Sequence, residues 1–198
     1  MKDTPMDLKI ADTQPIFDEL TKIYEHPSRK YHNLDHIHNM LEKLTESERY
    51  AEHPHRILLV IWFHDIVYDA KRTDNELKSA EFWIRKMTPY LLEEPLQWGK
   101  LAILSTINHY PNTDSDIQLL LDLDLTSLGA PWEVFQNNSE NIRQEYMHIP
   151  DKVFYAGRRD FLTQMIERPR LYGTNYWYNV LEERARDNIK KIIECGTG

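Results

Sequence analysis

Two short stretches of the sequence bring imidazole and carboxylate side chains close together: YHNLDH at residues 31–36 and WFHD at residues 62–65. Histidine is the commonest metal ligand in proteins and carries protons near neutral pH, but it is also an ordinary surface residue. His32 and His36 are four residues apart and would share one face of a helix if both were helical. Because Asn33 is a predicted N-cap, His32 precedes the helix and need not point the same way. The spacing therefore leaves open that both histidines are exposed polar residues at a helix start.

The second stretch lies inside a strongly apolar run, with ILLVIWF before His64 and Asp65 and IV after them. Burial of an ionised carboxylate is costly unless the group is paired or coordinates a metal ion. Adjacent helical side chains diverge by about 100°, yet an imidazole and a short carboxylate can both reach an ion between those directions. A structural hydrogen bond between the two side chains is the alternative that needs no ion.

A third candidate segment, LLLDLDL, places Asp122 and Asp124 among leucines. Two positions apart on a helix, these carboxylates do not face the same way, so at most one points toward the centre that His64 faces. The sequence thus predicts a site of mixed nitrogen and oxygen ligands: His36, His64, Asp65 and either Asp122 or Asp124. Such a set suits Mn²⁺, Fe²⁺, Co²⁺, Ni²⁺ or Zn²⁺ better than Ca²⁺, with Mg²⁺ also admitted, and leaves positions open for water and substrate.

The elements that must position these residues are predicted to be helices. Glycine occurs only six times, no Asn-Gly or Asp-Gly hairpin signal is present, and apolar residues recur at helical spacing. We expect one all-α domain over residues 1–198, a helical bundle with its most apolar helix, residues 54–67, in the middle. LLLDLDL could instead be a strand, because its apolar and acidic residues alternate. The other predicted helices cover residues 15–24, 33–44, 75–84, 95–109, 117–129, 132–147, 153–167 and 177–193.

Composition limits the classes of function. The formal net charge of -8 argues against nonspecific binding to duplex nucleic acid, which needs a basic surface. A single cysteine, Cys195, excludes an intrachain disulfide and a cysteine-based zinc site and suits a reducing compartment. The first residues lack an apolar core of signal-peptide length, and the longest apolar run, 57–63, is too short to cross a bilayer. We therefore expect a cytoplasmic protein that does not enter a membrane.

Seven phrases in order resemble a bacterial family of predicted metal-dependent phosphohydrolases of the HD superfamily. They extend from residue 31 to about residue 190 and read YHNLDHI, WFHDIVYD, DNELKSA, ILSTINHY, LLLDLDLTSLG, IRQEYMHIPDKVFYAGRRDFL and EERARDN. The first is also similar to the YHNxxH signature of cyclic-nucleotide phosphodiesterases, which are distant relatives. The resemblance implies a helical bundle of the HD type. The chain departs from the two-metal members because it lacks a histidine pair in mid-chain for a second ion.

The resemblance also implies roles for individual residues. His36, His64 and Asp65 would be metal ligands, with Asp124 the better match for the last ligand and Asp122 the fallback. Asp65 would also orient or deprotonate the attacking water. His32 corresponds to the histidine that protonates the leaving oxygen. His109 would line the pocket, share that proton-donating role or assist a second metal ion.

The expected function is metal-dependent hydrolysis of a phosphate ester or phosphoanhydride in a small substrate, for which a nucleotide is one candidate. One arginine among Arg143, Arg158 and Arg159 is expected to hold the phosphate. Two other functions stay open: a di-iron oxygenase on the same scaffold, and a non-catalytic sensor that binds a metal ion and a nucleotide. The sequence also allows a homodimer.

Overall fold

The computed structural model describes residues 14–195 of the chain and, within that range, consists of helices joined by short connections. The first 13 residues, on which the absence of a signal-peptide core was predicted, lie outside the described residues, as does the side chain of Cys195. The α-helices are α1 (Gln14–Tyr24), α2 (Leu34–Ser47), α3 (Pro54–Phe63), α4 (Asn75–Met87), α5 (Glu93–Ser105), α6 (Ser115–Leu125), α7 (Trp132–Glu145), α8 (Asp151–Ile166) and α9 (Asn175–Cys195). Two 3₁₀ turns, Glu48–Tyr50 and Thr126–Gly129, follow α2 and α6. The all-α prediction is confirmed, and no β-strand occurs in residues 14–195.

The centre of the bundle is formed by α3 and α6. Helix α3 packs against α2, α4, α5 and α6, and α6 packs against α2, α3 and α5. This explains why both sequences are strongly apolar, since a helix with neighbours on most sides has little surface exposed to solvent. Ile57, Val60, Ile61 and Phe63 of α3 are all fully buried.

The structure decides between two alternatives for one of these central helices and corrects the predicted end of the other. LLLDLDL is helical, as predicted, and the strand alternative is excluded. It forms the last part of α6, whose N-cap Asp114 accepts hydrogen bonds from the backbone N–H groups of Asp116 and Ile117. Helix α3 ends at Phe63 and not at Val67, so His64 and Asp65 follow its last turn.

The early end of α3 has a physical cause in the buried Arg29. Its guanidinium donates to the carbonyl oxygens of Asp65 and Ile66, at 2.8 Å each. An arginine can satisfy the carbonyl groups that a helix leaves free at its C-terminus. The chain can therefore leave the helix at this point without burying unpaired carbonyl groups.

Over residues 14–195, none of the helices combines the length and the apolar character that crossing a bilayer requires.

Candidate metal centre and cavity

Three helix ends bring the four predicted metal ligands to one place. The Nε2 atoms of His36 and His64 are 3.3 Å apart, and Asp65 Oδ2 lies 3.2 Å from His64 Nε2. Asp124 Oδ1 is 3.1 Å from His36 Nε2 and 3.6 Å from His64 Nε2. The ligand atoms of His36, His64 and Asp65 all lie within 4.8 Å of one another. We call these four residues the His-Asp cluster.

Each member of the cluster sits at a helix end for a local reason. His36 lies in the first turn of α2, where the Asn33 side chain accepts hydrogen bonds from the backbone N–H groups of Asp35 and His36. His64 and Asp65 follow α3, so their side chains are not held to the 100° divergence of helical neighbours. Asp124 lies in the last turn of α6.

The orientation of His64 is fixed by its second ring nitrogen. Its Nδ1–H donates to the carbonyl oxygen of Ile61 at 2.8 Å. In the neutral ring, Nε2 therefore carries the lone pair and points into the cluster. A hydrogen bond of this kind, from the far nitrogen to a carbonyl oxygen, is what orients most histidine ligands of metal ions.

The charges of the cluster compensate one another. Burial by itself lowers the pKa of His64, but the carboxylates of Asp65 and Asp124 raise it well above its ordinary value. Burial raises the pKa of Asp65 and of Asp124, but His64 lowers both below their usual range. Two ionised carboxylates thus lie in a nearly buried place, with 13% and 15% of their side chains exposed. They need a cation, which is either an imidazolium or a metal ion.

The cluster fits a divalent transition metal ion. Ligand atoms about 2.0–2.2 Å from one Zn²⁺-like ion lie roughly 3–3.6 Å from each other in tetrahedral or octahedral arrangements. The four neighbouring separations in the cluster run from 3.1 to 3.6 Å. Two imidazole nitrogens and two carboxylate oxygens are also a donor set that such ions accept.

The two aspartates of α6 have different partners. Asp122 is fully buried and accepts hydrogen bonds from the backbone N–H groups of Gly173 and Thr174, the Thr174 hydroxyl and the Gln118 amide. These contacts tie α6 to the segment that precedes α9. Asp124 points to the histidines instead. The structure therefore places Asp124, and not Asp122, in the cluster.

His109 contacts the far side of Asp124. Its Nε2–H donates to Asp124 Oδ2 at 2.7 Å, whereas Oδ1 faces the two cluster histidines. The His109 backbone has a φ of 49°, in the left-handed region that non-glycine residues rarely adopt. Arg168 donates to the carbonyl oxygens of His109 and Asn108, at 2.7 and 2.8 Å. Arg168 thus stabilises the turn that directs His109 toward Asp124.

His32 lies beside the cluster and is paired with Glu145 of α7. Its Nδ1–H donates to Glu145 Oε2 at 2.7 Å, and its ring stacks on Tyr68 at a centroid distance of 3.9 Å. Glu145 Oε1 also accepts the backbone N–H groups of Lys30, Tyr31 and His32. Burial alone would raise the pKa of Glu145, but the hydrogen bond and charge of His32 lower it. An ionised glutamate therefore holds the ring with Nε2 free for proton transfer.

Arg29 and the pairing of His32 with Glu145 were missed from the sequence. Besides the carbonyl groups after α3, Arg29 donates to the carbonyl oxygen of His32 at 3.0 Å. It thus connects the segment that carries His32 to the segment that carries Asp65. Its partners are backbone atoms far along the chain, so no spacing pattern could have indicated it.

A cavity of about 680 Å³ opens onto the cluster. Asp65, Asp124, His32 and His109 line one end of it. Arg158 also lines the cavity, whereas Arg143 and Arg159 do not. Arg143 instead binds Asp151 and the carbonyl oxygens of Tyr146 and Ile149. The volume lies in the range of small-molecule sites, about 300–1,000 Å³.

The chain matches no protein-family model, no curated protein and no solved structure. The geometry of the His-Asp cluster and its cavity is therefore the ground on which a function can be proposed.

Proposed function

We propose that the protein is a metal-dependent phosphohydrolase of the HD type that acts on a small phosphorylated substrate. The observation that carries the proposal is the convergence of His36, His64, Asp65 and Asp124 at one end of a cavity. The resemblance of the seven sequence phrases to HD phosphohydrolases agrees with the same four residues. A divalent ion held by them would supply Lewis acidity, polarising a phosphoryl oxygen and lowering the pKa of a water molecule.

The protein side chains have separate tasks in this proposal. His36 and His64 are buried and would serve as metal ligands only. Asp65 and Asp124 also line the cavity, where they would face the substrate. Asp65, with a lowered pKa, is ionised and can orient water or accept its proton. His32, held through Nδ1 by Glu145, can donate a proton from Nε2 to the leaving oxygen.

The proposal is tested with metal-free protein to which Mn²⁺ or Zn²⁺ is returned. Hydrolysis of p-nitrophenyl phosphate, bis-p-nitrophenyl phosphate and nucleotides is then measured. We expect turnover that depends on the metal ion and is lost in Asp65→Asn while the thermal unfolding curve is retained. Asp69→Asn is the matched control, because Asp69 is exposed, lies four residues away and does not line the cavity.

Other outcomes of the same experiment would replace the proposal. Oxygen consumption by iron-loaded protein without phosphate release would favour the di-iron oxygenase. Tight nucleotide binding without turnover, under every metal ion tried, would favour the non-catalytic sensor.

A further inference from the structure

The cavity has a second part that the hydrolytic chemistry does not use. Besides the polar groups it is lined by apolar side chains of α7 and α8, among them Phe135, Ile142, Val153, Phe154 and Phe161. Val153 and Phe161 remain 60% and 43% exposed. A concave apolar surface beside a few polar groups is the usual form of a site for an organic ligand. We call these five residues the apolar wall.

Arg158 of α8 also lines the cavity and lacks a counterion. It is half-buried, and it forms no hydrogen bond or ion pair with any residue in the described part of the chain. Its guanidinium carbon lies 5.4 Å from the ring centroid of Phe161, in a cation–π contact. Desolvation of an unpaired cation is costly, and guanidinium groups pair well with phosphate oxygens. Arg158 is thus available to bind an anion that enters the cavity.

Tyrosine side chains connect Arg158 to the His-Asp cluster. The ring of Tyr31 lies 5.3 Å from that of His36, its hydroxyl is hydrogen-bonded to the Ser127 hydroxyl at 2.6 Å, and Tyr31 lines the same cavity as Arg158. The Tyr68 hydroxyl is buried and has no hydrogen-bond partner among residues 14–195, while its ring stacks on His32. Tyr68 and Arg158 line the same cavity. The unpaired guanidinium and the unpaired hydroxyl therefore belong to the same cavity as the proposed catalytic groups.

The charges that line the cavity limit how many phosphates it can hold. Arg72, the other arginine along it, is already paired with Asp74 at 2.7 Å. Asp65, Asp124 and Glu76 add negative charge to the lining. Even with the proposed metal ion offsetting Asp65 and Asp124, one free guanidinium is left to balance a chain of several phosphates, whereas a single phosphate group needs no more than that one.

We propose that the cavity selects compounds in which one phosphate group is joined to an apolar ring, with Arg158 and the Tyr68 hydroxyl binding the phosphate and the apolar wall binding the ring. This inference rests on the proposed function, because it takes the cluster end of the cavity as the place of the scissile phosphate. It goes beyond that function by naming the substrate class and the residues that select it.

The test measures binding and turnover separately. Mn²⁺-loaded protein is titrated calorimetrically with inorganic phosphate, methyl phosphate and phenyl phosphate. Phenyl phosphate should bind at least about 10-fold more tightly than methyl phosphate, since the ring buries apolar area against the wall. Arg158→Gln should weaken binding of all three by about 10- to 100-fold, the effect of losing a hydrogen bond to a charged group. Its Mn²⁺ affinity should stay within about twofold of the original if the guanidinium acts on phosphate alone.

Matched variants separate the two parts of the site. Arg159→Gln, the exposed neighbour outside the cavity, should change none of these affinities. Arg158→Lys should fall between the original protein and Arg158→Gln, because a lysine keeps the charge but not the planar pair of donors. Ile142→Asn and Val153→Asn should each weaken the binding of phenyl phosphate by about 3- to 10-fold and leave the affinity for inorganic phosphate unchanged.

The outcomes distinguish this inference from the proposed function. If phosphate binding depends on Arg158 but no ester is hydrolysed, the phosphate-binding role of Arg158 is supported and the proposed hydrolytic function is overturned. If phenyl phosphate is hydrolysed but Arg158→Gln binds it as well as the original protein does, the hydrolase stands and this inference is overturned. Equal affinity for methyl and phenyl phosphate would also overturn it.

Discussion

The Nε2 atoms of His36 and His64 face each other at 3.3 Å in the interior of the bundle. The Nδ1–H of His64 donates to the Ile61 carbonyl oxygen, so in a neutral His64 ring Nε2 carries a lone pair. If His36 is neutral as well, its Nε2 adds either a second lone pair or one N–H, and both nitrogens lie beside carboxylate oxygens of Asp65 and Asp124. The metal ion that we propose would resolve this arrangement by binding all four side chains.

Removal of one cluster imidazole should abolish metal binding. His36→Gln keeps a polar side chain of similar length but loses the imidazole nitrogen that faces His64. Loss of a group that is hydrogen-bonded to a metal ligand typically lowers the metal affinity by about 10- to 100-fold. Loss of a ligand itself should therefore lower the Mn²⁺ affinity by more than about 100-fold. Isothermal titration calorimetry measures this. His38→Gln is the control, because His38 lies on the same helix but is exposed; a similar loss there would count against the assignment.

Asp122 and Asp124 should differ in their effect on metal binding although they lie two residues apart. Asp122→Ala leaves four donors around a buried site without their acceptor and should lower the free energy of unfolding by about 3 kcal/mol. Asp124→Asn should abolish metal binding and also lower the stability of the metal-free protein, because ionised Asp124 pairs there with His36, His64 and His109. Urea denaturation and metal titration of both variants check this. Equal effects of the two changes on metal binding would refute the distinction.

The contribution of Glu145 to stability should depend on pH. Its folded-state pKa is lowered by His32, so ionised Glu145 stabilises the fold above the ordinary value of 4.5 and loses this effect as pH falls through the folded-state pKa. Glu145→Gln should therefore lower the free energy of unfolding by about 2 kcal/mol at pH 7 and by progressively less below pH 4.5. Urea unfolding at several pH values measures the difference. Glu140→Gln, an exposed position on the same helix, should show neither effect.

Gly99 should tolerate no side chain. A Cβ atom there would overlap the indole of Trp83, whose Nε1–H donates to the Leu96 carbonyl oxygen at 2.8 Å and helps to join α4 to α5. Gly99→Ala should cost about 1–3 kcal/mol, the usual effect of overpacking. Gly157→Ala, in a helix with open space around the position, should instead stabilise by about 0.5–1 kcal/mol. Thermal melts compare the two, and a gain for both would show that α4 and α5 pack less closely than described.

The class of fold could be predicted from the sequence because it depends on local signals. Scarce glycine, recurring helical spacing and caps such as Asn33 are properties of a few neighbouring residues. The candidate ligands could also be named, since His64 and Asp65 are polar residues in an apolar run. The end of α3 could not be predicted from the sequence, because it depends on Arg29, which lies 36 residues before Asp65.

The remaining features of the site depend on contacts between distant segments. The choice of Asp124 over Asp122 depends on which neighbour each face of α6 meets, and Asp122 meets residues 51 and 52 positions later. Glu145 is 113 residues from His32. Arg158 could not be chosen over Arg143 and Arg159 because the three have the same chemistry, and the structure separates them only by what each side chain faces.

The location of a bound ion is the most direct test of the account. Crystals of the protein soaked with Zn²⁺ should show one anomalous-scattering peak within about 2.2 Å of His36 Nε2, His64 Nε2 and one carboxylate oxygen each of Asp65 and Asp124. A peak held by other residues, or the absence of a peak with these four side chains turned apart, would contradict the central claim.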